Sequence, residues 1–438
     1  MRKYLIYFSL AILGTVVTFL IYFSIYGIKT ESFNDLITGK IKEINPKLSL
    51  NIDDVFLKLN VKEKSINIRT QDAKIFIDKE FIKLSQIDLN LNILNYLKKE
   101  NSIKKIKITT DKNKIKKFAD FINTYKFSVP RLLIFNQIKD GNITAEIKIN
   151  FDDKTADEFT YDVNAKIRDT KLNILEKYKV EQINFDLNIK NKTYIIENTT
   201  FSNRGINFNS KKILIENVND VYEIEGDLAN IKGAIDTKYL KKILNYKINF
   251  LDNKHIIAET KNEFKFKINS KRKIKDLNLR SKVNFEEIFI NKNIQNLIYL
   301  QKGFITTNYK KNSLEVDIDS GYSFLNENYQ NSKNDKITVK IIKNKNEDLK
   351  IKAQIKNENN SINSKELSNY FKDINKLIKD QNFKFGSLND INFTINDKNK
   401  IKNLKIKSQL NLEEIKLNYE FSRIKKIFPG FKNLFNLK

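Results

Sequence analysis

The sequence has no cysteine and a single histidine, His255, so the side chains behind much enzyme and metal chemistry are missing. Without cysteine there is no disulfide and no thiolate, and one histidine alone cannot build a His/Cys metal site. The acidic pairs Asp152-Asp153, Glu286-Glu287 and Glu413-Glu414 are interpreted as turns or strand ends, and the glycines follow no phosphate-binding spacing. We interpret His255 as a strand-edge residue. We therefore expect no enzyme, with no catalytic residue, no metal and no cofactor.

The chain is also poor in glycine (11) and proline (3), and it is rich in Lys, Asn and Ile, a bias that matches codons rich in A and T. Its 80 Lys and Arg against 53 Asp and Glu give a formal net charge of +27. Such a charge fits a solvated sheet face, attraction to an anionic membrane surface, or nucleic-acid binding. The lysines alternate with apolar residues, as in 337–341, instead of forming one basic stripe. This pattern favours the solvated face and predicts no nucleic-acid partner.

Strict alternation of apolar and polar residues recurs from Leu48 almost to the C-terminus. Because successive side chains of a strand point to opposite faces, each run predicts a β-strand with one apolar and one polar face. The clearest runs are 48–52, 87–91, 143–150, 185–189, 264–269, 316–318 and 391–395.

An almost unbroken apolar run, Tyr4–Ile28, follows Arg2 and Lys3. It is long enough to cross a hydrocarbon core of about 30 Å. A cleavable signal peptide would have a shorter apolar core and a small-residue cleavage site, which this run lacks. We therefore favour an uncleaved signal anchor over a cleaved signal peptide. The expected location is the inner membrane of a Gram-negative cell, single-pass with the N-terminus inside and the bulk of the chain in the periplasm.

Four later segments have helical spacing of apolar residues: 32–44, which Pro46 ends, and 113–125, 236–246 and 364–381. The polar stretches 326–335 and 356–363 predict loops, and the second marks a subdivision near 356–382. The expected organisation is a cytoplasmic N-terminus at 1–3, the anchor at 4–28, an amphipathic connector at 29–46 and one β domain at 47–438.

The apolar faces of so many strands need a cover. Roughly 20–25 strands spaced about 4.8 Å apart would extend about 100–120 Å. They would expose on the order of 1,000 Å² of apolar surface, more than soluble monomers leave bare. The predicted fold class is therefore mainly β, a long curled antiparallel sheet forming a gutter or taco-like groove, with a few short amphipathic helices after one N-terminal transmembrane helix.

The N-terminal quarter of the chain resembles a known family. A signal anchor and a connector ending in Thr38-Gly39 precede strand patterns at 48–59, 66–68, 73–77, 87–97 and 103–108. The order is an apolar strand, a "dv-x-l" strand, an "a-x-l-x-i" strand, a strand ending in a leucine corner and an "i-x-x-i-x-i" strand. This order resembles the AsmA-like superfamily, the AsmA, TamB and YhdP type of repeating β-groove envelope proteins. The resemblance implies an inner-membrane-anchored protein that conducts phospholipids towards the outer membrane.

Three hypotheses follow. In the first, membrane phospholipids lie along an apolar groove that supports outer-membrane biogenesis. In the second, the sheet closes into a β-sandwich core and the protein is structural. In the third, an assembly factor binds client strands or envelope protein partners at the sheet ends. The groove hypothesis predicts these lining residues: Leu50, Ile52, Leu57, Leu59, Leu89, Leu91, Ile147, Ile149, Leu187, Ile189, Phe264, Phe266, Phe393 and Ile395.

Overall fold

The computed structural model describes residues 2–31, 34–44, 46–52, 54–98, 103–125, 135–151, 159–174, 178–238, 254–271, 273–290, 298–324, 335–365 and 381–413. The described part is mostly β-strand with few helices, and its strand pairings are antiparallel. The expected mainly β class, built on a long antiparallel sheet, is confirmed. The chain divides into two compact units, Met1–Ile224 and Glu225–Lys438, which are described separately.

Unit 1 contains the four described helices and the first twelve strands. The helices are α1 (Arg2–Ile25), α2 (Asn34–Ile44), α3 (Ile93–Leu97) and α4 (Ile115–Tyr125). The strands are β1 (Ile28–Thr30), β2 (Leu48–Asn51), β3 (Asp54–Asn60), β4 (Ser65–Ile77), β5 (Glu80–Asn92), β6 (Ile103–Thr110), β7 (Asn113–Lys114), β8 (Ile138–Phe151), β9 (Phe159–Ile174), β10 (Tyr178–Lys190), β11 (Thr193–Asn203) and β12 (Ile206–Val218).

Strand β13 (Val221–Asp236) crosses the boundary between the units, and the remaining described strands belong to unit 2. They are β14 (His255–Ile268), β15 (Ile274–Ile290), β16 (Ile298–Lys310), β17 (Ser313–Phe324), β18 (Lys336–Lys343), β19 (Leu349–Asn363), β20 (Asn382–Ile395) and β21 (Ile401–Glu413). From β14 to β21 each strand pairs with the next one in the chain. His255 is the first residue of β14, as its strand-edge interpretation requires.

Helix α1 carries the one stretch of the described chain, Tyr7–Ile25, that is long and apolar enough to cross a membrane. Its length and composition also fit an N-terminal signal sequence. The helix ends at Ile25, so Ile28, predicted as the last residue of the run, instead begins β1. Gly27 makes the turn with φ +72°, and β1 then pairs with β3 through Ile28 and Leu57. Only two residues therefore separate the apolar helix from the sheet.

Non-glycine residues in the left-handed region interrupt many of the long strands. Asp72, Asp169, Gln182 and Asn403 all have φ of 53° or 54° within strands. Register shifts accompany Gln182 and Asn403. Asn and Asp tolerate this conformation better than other side chains, so a chain with 11 glycines can build its bulges from them. The bulges add residues without moving the apolar side chains to the other face.

Two of the predicted helices fall largely within the described residues. The connector predicted at 32–44 contains α2, and the helix predicted at 113–125 is α4, which begins at Ile115 after the short strand β7. The helices predicted at 236–246 and 364–381 fall mostly on 239–250 and 366–380, outside the described residues. The loop predicted at 326–335 lies there too, except for Asp335.

The loop predicted at 356–363 is wrong, because these residues form the second half of β19. Asn357 pairs with Ser387 and Asn360 with Phe385, across a bulge. Cross-strand hydrogen bonds replace apolar contacts here: the Ser387 hydroxyl donates to Asn357 Oδ1 at 2.8 Å, and Asn360 Nδ2 donates to Asp335 Oδ2 at 2.6 Å. A strand whose polar groups are satisfied in this way carries no alternating pattern to reveal it.

Candidate functional site

Strand register joins the apolar side chains of unit 1 into continuous rows. One row crosses seven strands, namely β5, β6 and β8 to β12. Its successive pairing partners are Ile87, Ile108, Ile147, Val163, Ile189, Tyr194 and Ile215. A neighbouring row runs through Leu57, Ile68, Leu89, Ile106 and Ile149. The ten lining residues predicted between Leu50 and Ile189 thus share one face of unit 1.

Two helices cover the first part of this face. Ile37 of α2 and Phe118 and Phe121 of α4 pack against the cluster formed by β2 to β6. Beneath them Leu50, Leu89 and Leu91 are only 8%, 8% and 5% exposed, and Val55 and Ile68 are fully buried. Ile52 and Leu57 are half-buried against the same cluster. These five predicted lining residues therefore belong to a helix-covered core.

The cover ends further along the sheet. Ile115 and Phe118 of α4 still touch the cluster of Ile143, Ala145, Ala165 and Ile167, against which Leu187 packs. Beyond it Ile147, Ile149 and Ile189 are only partly buried, as are their row partners Val163, Tyr194 and Ile215. We call this surface, formed by Ile147, Val163, Leu187, Ile189, Tyr194, Ile196, Ile213 and Ile215, the open strip of unit 1. Leu59, at the other end of the face, is also partly buried.

Unit 2 has an equivalent row across eight strands, from β14 to β21: Thr260, Val283, Ile305, Ile318, Val339, Ala353, Ile391 and Ile406 are successive partners. From Thr260 to Ile391 these side chains are partly buried, and Ile406 is exposed. Phe264, Phe266, Phe393 and Ile395 share this face and are also partly buried. The rings of Phe264 and Phe266 lie 6.0 Å apart. The described residues of unit 2 contain no helix that packs on this row.

A polar network that the sequence did not predict interrupts the apolar face of unit 2. Thr260 Oγ1 lies 2.5 Å from Asn230 Oδ1, and Ser281 Oγ lies 2.7 Å from Asn262 Oδ1. Asn262 Nδ2 also donates to the Leu228 carbonyl at 2.8 Å. The sequence does contain an indication of this network. Thr260 and Asn262 are polar, yet they lie at alternate positions between Ala258 and Phe264, on the face that alternation assigns to apolar residues.

Unit 2 also has a closed core, to which strands β14 to β17 contribute buried side chains. Phe285, Leu300 and Tyr322 are buried together, and Gly303 leaves room for the Phe285 ring, because a Cβ at Gly303 would lie 2.4 Å from Phe285 Cζ. Burial raises the pKa of Tyr322, and the nearby Asp335 carboxylate raises it further. These side chains are buried, like those of the helix-covered core of unit 1.

The opposite face carries cross-strand ladders of amides and charges. Asn90 Nδ2 donates to Asn67 Oδ1 at 2.7 Å, and Arg69 pairs with Asp88 at 2.6 Å. Hydrogen bonds from Lys107 and Lys148, both at 2.8 Å, hold the pKa of Glu146 below its usual value. The lysines predicted at polar beats of the strands therefore take part in the polar face of the sheet.

Among the described residues, no group of three or more His, Asp or Glu side chains is placed to hold a metal ion. No protein-family model, curated protein or solved structure matches the chain. The fold and the site together define a mainly β protein with long apolar rows on one face of its strands and an apolar N-terminal helix.

Proposed function

We propose that this protein is anchored in a membrane by α1 and binds phospholipid acyl chains along the apolar face of its sheet. The observation that carries the proposal is the partial exposure of the apolar rows. In unit 1 the side chains beneath α2 are buried, whereas those of the open strip are not. A row that remains partly accessible along its length is the surface an acyl chain needs.

The energetics suit binding that permits movement. Each methylene removed from water contributes about 0.8 kcal/mol without directional bonds. Because rows of Ile, Val and Phe offer similar contacts from one strand to the next, a shift of the chain exchanges equivalent contacts. The eight-strand row of unit 2 has seven strand steps of about 4.8 Å, so it is about 34 Å long. No single side chain is that long, so contacts along the row come from several strands in succession.

Membrane placement is part of the same proposal. We infer an inner-membrane anchor in a Gram-negative cell, with Arg2 and Lys3 in the cytoplasm and the sheet in the periplasm, where the bound phospholipid would serve outer-membrane biogenesis. The resemblance of residues 48–108 to AsmA-like proteins supports this placement. The proposed action requires no catalytic group.

A structural role with a closed core is the second candidate, and a specific observation favours it. Leu50, Leu89 and Leu91 are buried as in an ordinary core, and the same holds for Phe285 and Leu300 in unit 2. If the whole apolar face were packed in this way, no lipid could enter. The two functions therefore differ in what happens at the open strip.

Lysine substitutions separate the two candidates. Under the lipid-binding proposal Ile189→Lys leaves the protein folded and removes lipid transfer between donor and acceptor vesicles, because the ammonium can reach water from a partly exposed site. Leu89→Lys should unfold the protein in either case, since an unpaired buried charge is costly. Thr200→Lys, an exposed position on the polar face of β11, is the matched control and should change neither property. Unfolding of Ile189→Lys, or unchanged lipid transfer, would favour the closed core.

A further inference from the structure

A second feature of unit 1 lies on the opposite, polar face. A cavity of about 930 Å³ opens between the end of α1 and strands β3 to β8. Tyr26 and Gly27 line it on the side of the helix, most of its other lining residues belong to the polar face, and Leu57 and Leu89 also border it. A volume near 900 Å³ lies within the range of small-molecule sites, so the cavity can accept more than a single ion.

The charges of the cavity are unbalanced. Arg69 is paired with Asp88 at 2.6 Å, and Lys107 is paired with Glu146 at 2.8 Å, so these two cations are largely neutralised. Lys58, Lys104 and Lys105 also line the cavity and have no carboxylate partner within the described part of the chain. Glu63 is the one remaining carboxylate of the lining, so three lysines face one negative charge.

Strand register explains why these lysines converge. Lys58, Asn67, Asn90 and Lys105 are successive partners across β3, β4, β5 and β6. The register shifts between Asn90 and Leu91, so that Lys104 is an extra residue of β6 opposite β5. A bulge of this kind directs two consecutive side chains to one side of the sheet, and both Lys104 and Lys105 line the cavity. Between the lysines the amides of Asn67 and Asn90 offer further hydrogen-bonding groups.

The position of the cavity indicates where its ligand comes from. Tyr26 and Gly27 follow the last residue of α1 directly, and pairing of β1 with β3 holds them against the sheet. If α1 spans a membrane, these residues lie at the level of the lipid headgroups, where tyrosines are enriched. The rings of Tyr22 and Tyr26 lie 5.1 Å apart at this end of the helix.

We propose that this cavity binds the phosphate of an anionic membrane lipid through Lys58, Lys104 and Lys105. Lysines and amide donors are suitable partners for a phosphate, and the adjoining helix places the cavity beside lipid rather than in bulk water. The lysines of the site lie on the polar side of the strands, opposite the acyl-chain face. The phosphate site rests on one part of the proposed function, the insertion of α1 in a membrane, and does not depend on lipid binding along the apolar face.

The test compares ligands with the same tails. Full-length protein in a neutral detergent is titrated with dioctanoyl phosphatidylglycerol and with dioctanoylglycerol, which lacks the phosphate, and bound ligand is counted by native mass spectrometry. We expect at least about tenfold tighter binding of the phosphatidylglycerol, the difference that one good charge-assisted contact provides. The combined variant Lys58→Gln, Lys104→Gln and Lys105→Gln should lose this preference and still bind dioctanoylglycerol. Since the preference is electrostatic, added salt should weaken it.

Lys179→Gln, Lys190→Gln and Lys192→Gln together form the matched control, because these exposed lysines of unit 1 do not line the cavity and remove the same charge. The control should keep the preference.

Equal binding of the two ligands, a preference that survives in the cavity variant, or equal loss in the control would overturn the site. Displacement of the lipid by inorganic phosphate at a comparable concentration would overturn the lipid as the source of the phosphate. Failure of both dioctanoyl ligands to bind would overturn the site and also count against the acyl-chain face, whereas equal and detectable binding of both would overturn the site alone. Native thermal unfolding of each variant ensures that binding is compared between folded proteins.

Discussion

Alternate residues of each strand have two different roles in this protein: apolar packing on one face and hydrogen bonding on the other. On the apolar beats Ile, Leu and Val form rows, and on the polar beats Asn, Asp and Lys form cross-strand hydrogen bonds such as that from Asn188 to Asn164 at 2.6 Å. Asn and Asp also occupy most of the left-handed positions outside glycine. The same residue types thus solvate the polar face and shape the strands.

Gly27 is a residue whose replacement should be costly. Its φ of +72° favours glycine, and an added Cβ would lie 2.6 Å from the Leu57 carbonyl oxygen. Gly27→Ala should destabilise the junction of α1 and β1 by about 1–3 kcal/mol. The check is protease cleavage near residue 30 of the membrane-reconstituted protein, which should become faster. Gly14→Ala, in the middle of α1 with no atom within 4 Å of the added Cβ, should leave cleavage unchanged.

Asp186 should make stability depend on pH in the acid range. Its pKa is lowered by the hydrogen bond from Arg168 and then by one from Asn198. A carboxyl whose pKa is depressed by folding contributes stability above its unfolded pKa of about 4, and this is lost as pH falls through the folded value. Since the pair is partly exposed, the contribution is about 0.5–1 kcal/mol.

The variant Asp186→Asn should therefore unfold at lower denaturant concentration than the wild type at pH 7. The difference between the two should shrink as the pH falls below about 4 and through the lowered pKa of Asp186, because the wild-type carboxyl then becomes protonated. A difference between them that stays constant down to pH 2 would show that packing of the side chain, and not its charge, is responsible.

At the scale of elements, the helices decide which part of the apolar face is closed. Helix α2 places Ile37, which is 3% exposed, over β2 to β5, and α4 extends the cover towards β8 and β9. The sequence predicts both helices from their apolar spacing and the strands from alternation. It does not predict how far the helices reach, because that depends on the register that brings distant rows beneath them.

Truncation of the cover should be measurable. Ile37→Ala should lower the free energy of unfolding by about 2–4 kcal/mol, since it leaves a cavity over a buried cluster. Ile174→Ala, at the exposed end of β9, should cost less than about 1 kcal/mol. Chemical denaturation of the two variants provides the comparison. Equal costs would show that α2 is not part of the cooperative core.

The second half of β19 shows why part of the fold escapes sequence analysis. Its polar side chains are typical of a loop, yet Asn357 and Asn360 are buried and hydrogen-bonded. The bulges in other strands also depend on single residues such as Gln182, whose left-handed conformation no local pattern announces. The cationic cavity escaped for a similar reason, since Lys104 and Lys105 share a side only because β6 is bulged.

For the molecule as a whole, the fourteen predicted lining residues occupy two kinds of surroundings. In unit 1 five lie under or against the helix-covered core, and the others line partly open apolar surface. In unit 2 the four aromatic and aliphatic positions are partly open. Which residues share a face was predictable from alternation, whereas which of them remain accessible was not. The proposed function depends on the accessible ones.

The most direct measurement places a photo-crosslinking phenylalanine analogue at Phe393 or Ile189 in cells, followed by mass spectrometry of the purified full-length protein. Lipid adducts should form at these two positions. They should be absent when the analogue replaces Asn392 or Asn188, the adjacent residues on the opposite face. Adducts at all four positions, or at none of them, would contradict lipid binding along the apolar face.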